Sequence, residues 1–321
     1  MSSAKSGFSN HQQEFKGGDF INQEYQVIRE IGDGAYGKAY LVYHDKTKKW
    51  FALKVEKKAE DAQLQHQMNV IAQNEIDFLG GIQHDHIISY KGSFPLSKDQ
   101  RNRKCLLIEY ADKNDLHTRL EEQIAAQRAF TEEECLTWFT QACMGLKAVH
   151  SAHKIHRDIK LSNILIMSQN FLNSDTKNEE LIRRGGLIYK HGIAKLSDFG
   201  TVTVNNAQEK TMEVGTMLYW APERYSANYD KSSDIWSMGV ALYLLLSNNR
   251  PPFMIKYFKQ GLLMKAPLLP INREVGMAIS SDCWNLIKMM LQKDPSKRPT
   301  IRKVLKTPII KRIVDNVQAT K

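Results

Sequence analysis

His156-Arg157-Asp158-Ile159-Lys160-Leu161-Ser162-Asn163 decides the reading of this chain. It sets a carboxylate two residues before a lysine and five before a side-chain amide. Phosphoryl transfer from ATP requires these groups: Asp158 to orient an attacking hydroxyl, Lys160 to neutralise the moving phosphoryl, Asn163 to hold Mg²⁺. The pattern is H-R-D-x-x-x-x-N, and one short motif can arise by chance. Its weight comes from four other phosphate-handling pieces that stand around it in the required order.

Upstream, Gly32-Asp33-Gly34-Ala35-Tyr36-Gly37 follows a strand-like stretch, Gln26 to Ile31, and precedes another. A dinucleotide-binding glycine motif would open a helix, whereas a glycine turn between strands folds over ATP and offers N–H groups to its phosphates. Taken alone, a plain hairpin reads as well. Tyr25 to Val55 alternates β-branched or aromatic with polar residues, broken by these glycines and by the turn His44-Asp-Lys-Thr-Lys-Lys49, which predicts three antiparallel strands. In Phe51-Ala-Leu-Lys-Val55, Ala52 and Lys54 share one face. From Asp61 to Leu79 the period becomes helical: Leu64, Met68, Ile71, Glu75 and Leu79 form a stripe that Gly80-Gly81 ends. Glu75 on that apolar face requires a cation, and Lys54 supplies it. The pair would hold Lys54 against the α- and β-phosphates. Taken singly, an exposed strand lysine and a surface glutamate are the commoner fates.

Downstream, Asp198-Phe199-Gly200 follows the strand-like Ile193 to Ser197 and supplies a second metal carboxylate. A threonine-rich segment then runs to Ala221-Pro222-Glu223. Thr131 and Glu134 form a capping-box pattern ahead of the apolar stripe Leu136, Phe139, Cys143, Leu146 and Val149. The span from Asn163 to Asp198 is far longer than a hairpin needs. Its polar middle, about residues 169–192, reads as an inserted surface loop with a short helix at Glu179 to Arg184, either padding or a docking element.

With 42% hydrophobic positions in 321 residues, the chain can bury the core of one large domain or two lobes. Its net charge of +10 comes from scattered lysines and arginines, which describes a solvated basic surface and not a nucleic-acid patch. Cys105, Cys135, Cys143 and Cys283 lack CxxC spacing and sit in apolar segments, as reduced core thiols do. Residues 1–24 read as a disordered extension without a signal-type apolar core, and Ser2 stands where myristoylation requires glycine. The longest apolar run, Met238 to Leu246, falls short of the roughly 20 residues of a spanning helix and reads as a core helix. A cytoplasmic protein without membrane insertion is expected.

Over residues 25–312 the chain resembles the eukaryotic protein kinases of the serine/threonine branch, to which Lys160 and Gly215-Thr216 ahead of Ala-Pro-Glu point. The resemblance implies an α+β, bilobal fold: a small antiparallel β lobe with one helix over 25–109, a larger mainly helical lobe over 112–312, and a tail over 313–321. It implies ATP and Mg²⁺ as cofactors and protein Ser/Thr hydroxyls as acceptors. Ile31, Gly32, Gly34, Gly37, Ala39, Ala52 and Leu165 would surround ATP, with Glu109 and Ala111 offering backbone to the adenine, Ile108 as gatekeeper and Asp115 near the ribose. Asp234 would steady the catalytic loop, Arg298 would pair with Glu223, and Tyr90, Leu79, Phe199 and His156 would stack as a spine. Arg157 would receive a phosphorylated activation segment, with Thr211 as first candidate, Thr201 and Thr203 behind it, and Thr216 contacting the substrate region. Longer stretches, Asn74 to Phe94, Phe130 to Asn163 and Lys297 to Ile313, resemble the NIMA-related (NEK) subgroup. Ser197-Asp-Phe-Gly200 and Gly215-Thr-Met-Leu-Tyr-Trp-Ala-Pro-Glu223 depart from its usual forms. The subgroup implies roles at microtubules, centrosomes or cilia or in mitosis, and a monomer is expected. Two other readings are a non-enzymatic scaffold and a small-molecule phosphotransferase. The complete set Lys54, Glu75, Asp158, Asn163 and Asp198 speaks against the first, and Lys160 and Thr216 against the second.

Overall fold

The computed structural model describes residues 14–59, 61–97, 102–168, 191–202, 217–226, 230–257, 262–271 and 279–318. Packing divides the chain into two units, one of residues 1–83 with 88–111 and the other of 84–87 with 112–321.

The first unit is built on an antiparallel sheet of order β1-β2-β3-β4-β6-β5. The strands are β1 (Phe20–Ile21), β2 (Tyr25–Asp33), β3 (Gly37–His44), β4 (Lys49–Glu56), β5 (Tyr90–Pro95) and β6 (Lys104–Glu109). The three strands expected from alternation are β2, β3 and β4. Their inward positions Val27, Tyr40, Val42, Leu53 and Val55 join Cys105 and Leu107 in one buried cluster. At Gly37 a Cβ would lie 2.8 Å from the Val55 carbonyl oxygen, so β3 and β4 can approach there only without a side chain. Helix α1 (Ala62–Gly80) starts at Asp61, whose carboxylate accepts the Gln63 and Leu64 N–H groups. Of the expected stripe it buries Met68, Glu75 and Leu79 and leaves Leu64 and Ile71 half-buried, and it also buries Gln65, which accepts the Ala59 N–H at 2.9 Å.

Residues 14–24, expected to be disordered, carry structure instead. β1 pairs with β2, Ile21 is buried in the sheet's cluster, and Phe15 meets Tyr40 edge-on at 5.6 Å. Arg103 donates to both carboxylate oxygens of Glu14, at 2.6 and 2.9 Å. Isolated apolar residues in a polar stretch read as disorder, yet here Phe15 and Ile21 cover places on the sheet while Phe20 stays exposed.

The second unit holds α2 (Leu116–Ala125), α3 (Glu132–Ser151), the antiparallel pair β7 (Ile164–Met167) and β8 (Ile193–Leu196), α4 (Lys231–Leu246), α5 (Ser281–Met290), α6 (Ile301–Leu305) and α7 (Pro308–Gln318). The capping box of Thr131 and Glu134 opens α3, and all five residues of its expected stripe are buried. α4 is buried from Ser233 to Leu246, so the longest apolar run is a core helix. No described helix is long and apolar enough to cross a membrane. All four cysteines are buried thiols outside any disulfide. α7 continues to Gln318, so residues 313–318 are helical and not a loose tail.

The turn at 84–87, which the sequence reading placed in the β lobe, packs in the helical unit. His86 accepts the Leu196 N–H through its carbonyl at 3.0 Å, and its Nδ1 lies 3.0 Å from the Ala194 carbonyl. On α3, a Cβ at Gly145 would sit 2.3 Å from the His86 carbonyl oxygen, so only glycine admits this turn.

Candidate active site

Each unit carries part of the expected machinery. In the β unit, Lys54 on β4 donates to Glu75 on α1 at 2.7 Å. Glu75 is buried and Lys54 half-buried, so the carboxylate's desolvation is compensated by a charge-assisted hydrogen bond. Ala52 is buried two residues before Lys54 and pairs with Leu41 and Ile108. The glycine turn is closed by the Gly34 N–H donating to the Gly37 carbonyl at 2.9 Å. Gly32 and Gly34 are exposed, Ile31 and Ala39 are half-buried, and Ala39 pairs with Lys54. Asp33 within the turn was not singled out from the sequence; it meets Lys57 at 2.5 Å and Lys38 at 3.7 Å. Burial works to raise its carboxyl, and Lys57 with Lys38 outweigh that and hold it below the ordinary value. Glu109 donates its N–H to Ser89 at 3.0 Å and accepts the Ser89 N–H on its carboxylate at 2.7 Å; Ala111 is partly exposed.

In the helical unit the catalytic loop converges on Asp158, which is buried. Lys160 Nζ lies 3.2 Å from Asp158 Oδ2. Asn163 donates its amide nitrogen to the Asp158 carbonyl at 2.7 Å and to its carboxylate at 3.1 Å. That engagement leaves the amide oxygen, the one atom of the side chain able to ligate a metal, as the group to face a ligand. Asp234, at the start of α4, steadies the loop: it accepts the His156 and Arg157 N–H groups, each at 2.9 Å, and His150 Nε2 at 2.8 Å. Burial pushes the Asp234 carboxyl up, but the hydrogen bond and charge of His150, with His156 beside it, hold it low.

Arg157 and Asp198 both take the left-handed backbone region, with φ of 68° and 62°. Non-glycine residues hold such angles at a cost of about 1–3 kcal/mol each, where surrounding contacts over-determine them. At Arg157 the Asp234 clamp does so. Ahead of Asp198, the Ser197 N–H and hydroxyl both donate to the Asn163 carbonyl, at 2.9 and 3.1 Å. Ser197 therefore ties together the two residues expected to hold metal, a link that the sequence showed only as a departure from the subgroup's pattern.

Phe199 lies against His156 with ring centroids 4.8 Å apart, which brings together the two spine members of this unit. Arg298 makes a two-point pair with Glu223, at 2.5 and 2.8 Å. Thr201 donates its hydroxyl to the His156 carbonyl at 3.0 Å, a structural engagement for a residue read as a candidate phosphosite. Asp115, expected near a ribose, caps α2 by accepting the N–H and hydroxyl of Thr118 at 2.9 and 2.8 Å, and it pairs with Leu165 in an isolated bridge. Thr203, Thr211, Gly215, Thr216 and the inserted loop at 169–190 lie outside the described residues. The loop's downstream end is fixed to α3, where Trp138 Nε1 donates to the His191 carbonyl at 3.0 Å.

Among the described residues no group of three or more His, Cys, Asp or Glu could hold a metal by itself. An amide oxygen of Asn163 with the Asp198 carboxylate is instead an incomplete set of hard oxygen donors. It suits Mg²⁺, which keeps several waters and shares its coordination with substrate phosphates.

A family model described as protein kinase domain matches residues 25–310. The chain is 31% identical over 300 residues to the probable serine/threonine-protein kinase nek3 of Dictyostelium discoideum, covering 89% of this chain and 23% of that protein. It is 31% identical over 296 residues to human serine/threonine-protein kinase Nek5, with 91% and 37% covered. Mouse Nek3 is 30% identical over 284 residues, with 88% and 48% covered. The chain thus spans less than half the length of these relatives, and the match to NIMA-related kinases agrees with the resemblance read from its motifs. Because the family match runs through both units and takes in every catalytic position located above, the chain belongs to the protein kinase family.

Proposed function

We propose that the chain is a serine/threonine protein kinase that transfers the γ-phosphoryl group of ATP to protein hydroxyls with Mg²⁺. The observation that carries this is the convergence of Lys160 and Asn163 on the Asp158 carboxylate, at 3.2 and 3.1 Å, in a loop clamped by Asp234. Asp158 accepts the hydrogen bond of the attacking hydroxyl, and its proton as the new O–P bond forms and the bond to the ADP oxygen breaks. Lys160 places its positive charge where negative charge spreads over the moving phosphoryl. Lys54, held by Glu75, binds nucleotide phosphates. Asn163 and Asp198 would hold Mg²⁺, which when bound neutralises phosphate charge. No covalent enzyme intermediate is needed, because positioning and charge do the work.

Radiolabelled ATP with a degenerate Ser/Thr peptide library tests the reading. Wild type is expected to label peptides, and Asp158→Asn to lose activity by about a hundredfold or more. Equal rates for the two proteins would count against catalysis at this site.

We also propose a monomeric cytoplasmic protein and, on the likeness to Nek kinases, association with microtubules or cilia. Co-sedimentation with taxol-stabilised microtubules tests the last, and recovery wholly in the supernatant would remove it.

A further inference from the structure

Half of the large apolar side chains exposed among the described residues fall between positions 254 and 264: Met254 (46% exposed), Ile255 (60%), Leu262 (38%) and Met264 (56%). They sit on two short turns, Ile255–Tyr257 and Leu262–Lys265, which pack against one another. Their neighbours in the chain point the other way, since Phe253 and Leu263 are wholly buried and Ala266 nearly so.

The turns are held by fixed anchors. Phe253 stacks on Trp236 of α4 with centroids 5.5 Å apart. Lys293 Nζ lies 3.6 Å from the centre of the Phe253 ring and donates to the Leu263 carbonyl at 2.7 Å. The Leu269 N–H donates to the Pro252 carbonyl at 2.9 Å, and Tyr243 donates to the Leu269 carbonyl at 3.2 Å. The exposed apolar groups are therefore presented by a backbone tied at both turns.

The charged side chains described on the two turns are of one sign. No Asp or Glu occurs in the sequence between Asp234 and Glu274, and Asp234 is wholly buried. Lys256 and Lys265 are exposed, one on each turn. We propose that this face docks a peptide segment of a partner protein in which acidic residues flank apolar anchors. Methionine adapts to varied apolar side chains, and the lysines select acidic flanks by attraction and reject basic ones. A second copy of the chain fits poorly, because a two-fold contact centred on this face would bring Lys256 and Lys265 up against the same lysines of the other copy. Four apolar side chains with two lysines also make a weak membrane anchor beside the larger apolar face of an interfacial helix. Docking here does not depend on phosphoryl transfer.

The test selects a displayed library of random dodecapeptides on the full chain and, in parallel, on the double variants Ile255→Ser/Met264→Ser and Lys256→Glu/Lys265→Glu. Peptides enriched on wild type are expected to combine Asp or Glu with Leu, Ile or Phe. A fluorescein-labelled member of that set should lose at least tenfold in affinity for either variant by anisotropy. Both variants should keep the wild-type melting temperature and the rate of phosphorylating a short generic peptide. Lost binding with unchanged phosphorylation supports the docking face, whereas a failure of phosphorylation in wild type sinks the kinase reading and leaves the docking face standing. Enrichment no greater than on the serine variant, enriched peptides without acids, or binding retained by both variants would overturn it. So would self-association or uptake on phosphatidylserine vesicles that depends on these residues while no peptide binds.

Discussion

Ser197 shows what a single hydroxyl can do in this loop. Its Oγ donates to the Asn163 carbonyl one residue ahead of the strained Asp198, so both expected metal-holding residues hang on the same joint. Ser197→Ala keeps the backbone bond and removes the side-chain one. The expected result is a loss of about 1 kcal/mol in stability by urea denaturation and a rise of about tenfold in the Mg²⁺ needed for half-maximal activity. An unchanged Mg²⁺ requirement would make the hydroxyl merely structural. The convergence of Lys160 and Asn163 on Asp158 was legible in the sequence because the spacing of the three residues is local. Even the Lys54–Glu75 pair was legible, since an acid on an apolar helical stripe announces that it needs a cation. Ser197 and Asp33 were not, because a hydroxyl or a turn carboxylate has many possible partners and only tertiary placement chooses between Asn163 and solvent, or between Lys57 and a phosphate. Asp115 shows a role that the family likeness did not name: a carboxylate just before a helix serves as its cap.

At the scale of elements, periodicity found β2, β3, β4, α1 and α3, whose buried faces repeat often enough to be read. It missed β1, since a strand of Phe20–Ile21 shows no alternation at all. The consequence is measurable. Ile21 is 1% exposed and closes the cluster under the sheet, so Ile21→Ala is expected to destabilise the protein by about 3 kcal/mol. Urea unfolding followed by circular dichroism checks this, and a loss under about 0.5 kcal/mol, as at an ordinary surface site, would mean that β1 contributes little. The inserted segment after β7 lacked any such repeat, so its composition could say loop but not what the loop does.

For the whole molecule, acid sensitivity is set in part by His86. Burial pushes its imidazole down to about 3, so it is neutral in the fold. The unfolded chain binds a proton there near pH 6.5, while the folded chain does not until far lower pH. The unfolded state then holds more protons, and stability falls as pH drops from about 6.5 toward 3, by at most about 1.4 kcal/mol per pH unit from this group. In His86→Asn, whose amide nitrogen stands where Nδ1 does and keeps a donor for the Ala194 carbonyl, that slope should be missing. Urea midpoints at pH 7, 6 and 5 compare the two proteins, and parallel curves would remove His86 as a source.

The same turn governs how the protein can be cut. Because residues 84–87 belong with 112–321 while 88–111 return to the β unit, the chain changes unit three times, and no single cleavage separates two intact pieces. A fragment of residues 112–321 made alone would leave Leu196 without its acceptor on His86 and open a slot above Gly145. It is expected to unfold with a broad, weakly cooperative transition that adding the fragment of residues 1–111 sharpens. An exchange of one unit for another by recombination would meet the same obstacle, because any single crossover divides one of the two units.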